Sequence, residues 1–201
     1  MMTVDQLFAK LCSKEFQDVQ NGDLFYNFFI FPYPAREEYA MRAQIDDFKK
    51  KLIRPTNYVD VLVLNLFEEF CTFLDNQSFG RLHPSYLNYL LEKDKADSAA
   101  AMKALTLKAN SEQFYRYIHE RIITHVMIDD DKVRPYVFLH GIGLMYPLLR
   151  TSVFLTNYEK YNKTSRYKII VFYPGTVQGT DYELFGLIND HHTYRGIVLN
   201  D

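Results

Sequence analysis

The residues best suited to chemistry fall in one stretch, Arg134 to Arg150, which reads Arg-Pro-Tyr-Val-Phe-Leu-His-Gly-Ile-Gly-Leu-Met-Tyr-Pro-Leu-Leu-Arg. His140 closes an apolar, β-favouring run, Gly141 and Gly143 allow a tight turn, and Pro147 sits where a first helical turn tolerates proline. Strand, loop and helix in that order present a working edge, because open α/β sheets meet ligands at the carboxyl ends of their strands. A conventional phosphate cradle fails on spacing. Gly175 and Gly179 are separated by three residues where a P-loop needs four, and Thr180 stands where its lysine is required. Gly141-Ile142-Gly143 begins like a dinucleotide fingerprint, yet Tyr146 occupies the place of the third, necessarily small, glycine.

Other reaction chemistries fare no better. No Gly-x-Ser-x-Gly elbow is present for a serine hydrolase. His140 has the chemistry of a general base, but an isolated histidine at a strand end is ordinarily a hydrogen-bonded structural residue. His191 and His192 are adjacent, so in an extended chain they face opposite ways and do not simply share a metal. Asp129-Asp130-Asp131 lacks the alternating ligands, glycine and distal Glu of a calcium loop and reads as a solvated turn. Cys12 and Cys71 form no Cys-x-x-Cys and read as reduced, half-buried thiols. No catalytic residue, metal or other cofactor is therefore assigned. Arg150 would lie in a first helical turn, where the helix dipole disfavours a cation. Either an internal carboxylate or an anionic ligand or acidic partner compensates it.

The elements that position these residues follow from periodicity. Val4, Leu7, Phe8, Leu11 and Phe16 mark a short amphipathic helix, ended by Asn21-Gly22-Asp23. Phe25 to Phe31 reads as a buried strand terminated by Pro32-Tyr33-Pro34, and Arg36 to Leu52 as a crossover helix with Met41, Ile45, Phe48 and Leu52 inward. Val59 to Leu66 reads as a second strand, and a helix begins near Phe67. Residues 77–125 form a helical insertion over Ser85 to Leu91, Ser98 to Leu107 and a segment capped by Asn110 or Ser111, with Lys93 to Asp97 as a solvated linker. After the Tyr136 to Leu139 strand come a helix over Tyr146 to Tyr161, a strand over Lys168 to Tyr173 ended by Pro174-Gly175, and a glycine-punctuated loop to Asp181. The periodicity assigns nothing to Tyr182 to Ile188; a turn over Asn189 to His192 and a last strand over Gly196 to Leu199 close the chain.

The expected fold is one α/β domain over 1–201: a mostly parallel sheet of about five strands with helices on both faces. Its topology is P-loop-NTPase-like or Rossmann-like without a phosphate-binding motif. Right-handed crossovers bring four loops to one edge: Pro32 to Pro34, Asn65 to Glu69, His140 to Tyr146 and Pro174 to Asp181. The expected interaction or ligand edge therefore contains Tyr33, His140, Gly141, Gly143, Tyr146 and Arg150. It also takes Tyr173, Gly175 and Gly179, together with Tyr194 and Arg195 before the last strand.

Composition narrows the class. The 201 residues carry 23 basic and 25 acidic side chains, which gives no global drive toward nucleic acid. No stretch approaches the length of a membrane span and the amino terminus lacks a signal-peptide pattern, so a soluble, cytoplasmic protein is expected. Sixteen Tyr and sixteen Phe, with no Trp, suit an aromatic core or an interface.

Three stretches carry a resemblance. Phe31-Pro-Tyr-Pro34 is followed by Glu37 or Glu38 and Arg42. Gly141 to Arg150 is the second stretch, and Val171-Phe-Tyr-Pro-Gly-Thr176 with Leu184-Phe-Gly186 and Tyr194-Arg195 the third. Together they resemble the BrxB family of bacterial BREX (bacteriophage exclusion) defence systems, from about Leu7 to Leu199. The family ending resembles Asp-Asp-Asn-Tyr-Tyr-Arg; here it reads Asp190-His-His-Thr-Tyr-Arg195, which keeps the second Tyr and the Arg and departs before them. The resemblance implies an accessory protein and not an enzyme. Such a protein acts by association with other BREX components, a PglZ phosphatase-like protein above all, and meets DNA only indirectly. The alternative is a nucleotide- or nucleic-acid-binding module using Gly141, Gly143, Arg150, Gly175 and Gly179 at the carboxyl edge.

Overall fold

A computed structural model describes residues 2–17, 28–54, 57–126, 135–162, 167–179, 181–189 and 196–199. Five parallel strands form its centre: β1 (Phe28–Tyr33), β2 (Val61–Asn65), β3 (Tyr136–His140), β4 (Lys168–Gln178) and β7 (Ile197–Val198), in the order β2-β3-β4-β1-β7. β5 (Asp181–Leu184) and β6 (Ile188–Asn189) extend the sheet antiparallel from the end of β4. The architecture is thus α/β with a mostly parallel sheet flanked by helices, as the alternation of elements predicts.

Alternate side chains of each strand feed two cores. Phe29, Phe31, Phe138, Ile170 and Phe172 face one layer, where α1 (Val4–Cys12), α2 (Lys14–Gln17) and α3 (Glu38–Leu52) bury Leu7, Phe16, Met41 and Ile45. Phe28, Ile30, Val137, Leu139, Ile169 and Val171 face the other. There they meet α4 (Leu66–Asp75), α5 (Tyr86–Ala96), α6 (Ser98–Ala109), α7 (Glu112–Val126) and α8 (Thr151–Tyr158). Strands covered on both faces read as near-continuous apolar runs, which is why the sequence reveals them.

Local chemistry sets most boundaries. Thr3 and Gln6 form a reciprocal capping box at α1, Asn65 caps α4 through Phe67 and Glu68, and Ser111 caps α7 through Phe114. Ser13 separates α1 from α2, so the amino-terminal segment is two short helices and not one.

Several sequence expectations are corrected. Pro32 lies inside β1 and does not end it: it stays in register with Tyr173 of β4, and among the described residues β7 pairs only as far as Ile30, so no described strand faces the side of Pro32 that lacks an N–H. β4 likewise passes through Pro174-Gly175 to Gln178, changing partner from parallel β1 to antiparallel β5. The expected solvated linker is mostly the last turn of α5, and the junction is the single residue Asp97, whose carboxylate caps α6 at Ala100. Tyr182 to Ile188 resolves into β5, a turn and the start of β6. The turn at 21–23, the acidic run 129–131 and His191-His192 lie outside the described residues.

Candidate functional site

At the carboxyl edge β2 and β3 end side by side, and β1 ends on the far side of β4 from them. Tyr33, which follows Pro32, is only 2% exposed, and its hydroxyl donates to Oε2 of Glu38 in the first turn of α3. The other Glu38 oxygen accepts from Arg42 Nε at 3.0 Å. Burial first, and the bond to Glu38 second, push the Tyr33 phenol far above its ordinary range, so it acts as a fixed donor.

β2 and β3 end in register at Asn65 and His140. Asn65 Oδ1 caps α4 while its Nδ2 donates to Glu68 Oε1 at 2.8 Å. Gly141 follows with φ +70°, and a Cβ there would stand 2.1 Å from Asn65 Oδ1. This position needs glycine for both its backbone angle and its space. His140 is half-buried. That burial lowers its pKa, Arg42 lowers it further, and Glu38, Glu68 and Asp46 oppose the fall. Its Nδ1 is occluded and has no hydrogen-bond partner among the described residues, so the expected hydrogen-bonded structural histidine is corrected at that nitrogen.

The glycine turn is filled from within. A Cβ on Gly143 would lie 2.8 Å from the Phe185 ring and 2.9 Å from Pro174. Phe185 is held there by its N–H, which donates to Pro174 O at 2.8 Å. Tyr173 is fully buried and meets Tyr182 edge to face at 5.9 Å. Gly175 lets Glu183 O approach to 2.2 Å from where its Cβ would be, and Thr176 Oγ1 donates to Glu183 Oε2 at 3.2 Å. Gly179, φ +62°, turns the β4–β5 hairpin beyond this cluster. Tyr146 is half-buried and its N–H returns to Gly143 O at 3.2 Å.

Arg150 is corrected in place. α8 begins at Thr151 and not at Tyr146 or Pro147, leaving Arg150 as the N-cap residue, exposed and without an ion pair among the described residues. The backbone from Gly141 to Leu149 is instead held in successive local turns, and Leu148 O accepts from Asn110 Nδ2 at 2.9 Å. Tyr194 and Arg195 lie outside the described residues.

The structure therefore brings Tyr33, His140, Gly141, Gly143, Tyr173 and Gly175 to one edge and adds Asn65, Glu68 and Glu38–Arg42 as their partners. The pattern Asn65-x-x-Glu68 ahead of an apolar helix is the capping signal that locates the first two. Around this interior runs an exposed rim: Tyr39 (85% exposed), Phe67, Leu144, Phe185 and Leu187 (86%), with Arg36 and Arg150 among them. Among the described residues no group of three or more His, Cys, Asp or Glu is arranged to hold a metal ion, and no helix is long and apolar enough to cross a membrane.

Comparison with known proteins agrees with the motifs. No solved structure matches the chain. The BREX protein BrxB of Bacillus cereus (strain H3081.97) is 25% identical over 201 residues, covering 98% of this chain and 96% of that relative. The family profile described as BREX protein BrxB matches residues 62–199, from within β2 to just past β7. The chain belongs to the BrxB family of BREX phage-defence systems.

Proposed function

We propose that the chain is a non-catalytic accessory subunit of its BREX system that works by association, with the PglZ-like phosphatase-family component as its direct partner. The observation that carries this reading is the division of the carboxyl edge into an interior whose polar groups mostly bond to one another and an exposed apolar rim. Inside, Tyr33, Glu38 and Arg42 bond to one another, Asn65 bonds to Glu68, and Phe185 with Pro174 occupies the space over Gly143. An interior of that kind offers a substrate few unpaired groups. Outside, Tyr39, Phe67, Leu144, Phe185 and Leu187 beside Arg36 and Arg150 give the aromatic and arginine content that concentrates binding energy at protein interfaces.

Co-expression of tagged chain with the other products of its BREX system, followed by size-exclusion chromatography with light scattering, tests the proposal. A stoichiometric complex with the PglZ-like component is expected, weakened at least about tenfold by Tyr39→Ala combined with Leu187→Glu. A solitary chain under all pairings overturns it.

A further inference from the structure

The helical layer carries a second, differently built surface. Between α4 and α5, Phe79 and His83 form an isolated antiparallel bridge that closes a small loop, with Gly80 at φ +64°. Leu82 at its tip is 91% exposed, the most exposed large apolar side chain among the described residues, and Arg81 beside it is also exposed.

The loop is clamped from below. Phe79 stacks on Tyr89 with centroids 4.1 Å apart and meets Tyr86 edge to face at 5.2 Å, while His83 lies 5.3 Å from Tyr89. The N–H of Tyr86 donates to Gln77 O at 2.7 Å, and Gln77 Oε1 accepts from Lys108 Nζ at 2.7 Å. A tip held this firmly loses little freedom on binding.

We infer that the Gly80–Leu82 tip is a preorganised knob that docks into a second protein offering an apolar pocket rimmed by carboxylates. Charge supports the acidic rim. Around the loop Arg81, Lys93 over Tyr89 and Lys108 over Tyr86 outnumber the two carboxylates, Glu92 at 3.4 Å from His83 and Asp75, which accepts from Ser85 Oγ at 2.6 Å. A nucleic acid is the poorer occupant because the ring faces are already taken. Phe79 and Tyr89 cover each other, Lys93 lies over Tyr89 at 5.6 Å and Lys108 over Tyr86 at 4.8 Å. The tip stands beyond the far end of α4 from the carboxyl edge, about 15 Å away along that helix. The subunit thus has two faces and bridges two partner surfaces. This rests on the association reading above.

The test uses the full chain against each other protein of the same BREX system, purified singly, with titration calorimetry at low and physiological salt. Leu82→Glu is expected to weaken one of these complexes at least about tenfold, and Arg81→Glu to weaken it and flatten its salt dependence, with unfolding midpoints unchanged. Leu187→Glu, on the rim of the other end, leaves that contact intact. Unchanged binding of every component by both tip variants overturns the inference. If Leu187→Glu alone abolishes binding, the carboxyl-edge reading stands and this one falls. A short single-stranded DNA that binds and is lost in Arg81→Glu, with no protein partner affected, also overturns it.

Discussion

The carboxyl edge and the Phe79–Tyr89 loop both expose apolar side chains, but they hold them by opposite means. At the edge, fit is set by backbone and polar contacts: Gly141 against Asn65, Gly175 against the Glu183 carbonyl, Tyr33 through Glu38 to Arg42. At the loop it is set by ring stacking, with Leu82 left outside. The edge residues are themselves the groups in contact, whereas Leu82 takes no part in the stacking that holds its loop. Substitution at the edge should therefore act on stability first and on binding through it. Substitution at the loop tip should act on binding alone.

The largest effect that would break this contrast is expected at Gly141. Gly141→Ala adds the left-handed backbone cost to a collision with Asn65 Oδ1, and it displaces the α4 cap; together these destabilise by roughly 2–4 kcal/mol. Gly179→Ala provides the reference, since its φ is similar at +62° but nothing lies within 4 Å. Only the backbone cost remains there, about 1–2 kcal/mol. Urea unfolding of the two variants measures the difference. Equal losses would mean that the contact with Asn65 relaxes freely and that steric fit does not set the edge.

A smaller effect sharpens the polar half of the comparison. Glu38→Ala removes the acceptor of the buried Tyr33 hydroxyl and strands Arg42 Nε, which is expected to cost about 1–2 kcal/mol given that Glu38 is partly solvated. Tyr33→Phe in the Glu38→Ala background should recover part of that loss, because the unpaired hydroxyl is gone. Strict additivity in the double-mutant cycle would show that the phenol and the carboxylate act independently.

How far the sequence could be read follows the same division. The buried strands were legible because the Tyr136–Leu139 and Lys168–Tyr173 runs are apolar on both faces, and α3 because Met41, Ile45, Phe48 and Leu52 repeat at helical spacing. The four loops meeting at one edge followed from the parallel order. What escaped reading depended on partners distant in sequence. Pro32 and Pro174 look like strand breakers until Pro32 is found in register with Tyr173 of β4 and β5 is found to take over as the partner beyond Pro174. Pro147 looks like a first helical residue until Leu148 is found bonded to Asn110 of the α6 terminus, 38 residues away. Of the edge residues, Tyr33, His140 and Gly141 were legible as strand ends and a turn. The Glu38 bond to Tyr33 and the plug of Phe185 over Gly143 are properties of packing and leave no periodic trace.

The smallest expected effect is a pH dependence at the edge. His140 is half-buried at the edge, and its burial, reinforced by Arg42, lowers its pKa below the ordinary histidine value. The unfolded chain therefore binds a proton at His140 before the folded chain does. The stability linked to the neutral ring is complete above the unfolded value of about 6.5 and is lost as pH falls from there through the lower folded value. His119, on α7, is lowered by burial as well and adds a slope of the same sign. Urea midpoints measured between pH 7.5 and pH 5 should fall, and His140→Gln should flatten the curve without abolishing it, because His119 still titrates. A His140→Gln curve that overlays the wild type would place the whole slope elsewhere. It would mean that the acidic neighbours Glu38, Glu68 and Asp46 offset the burial of His140 completely.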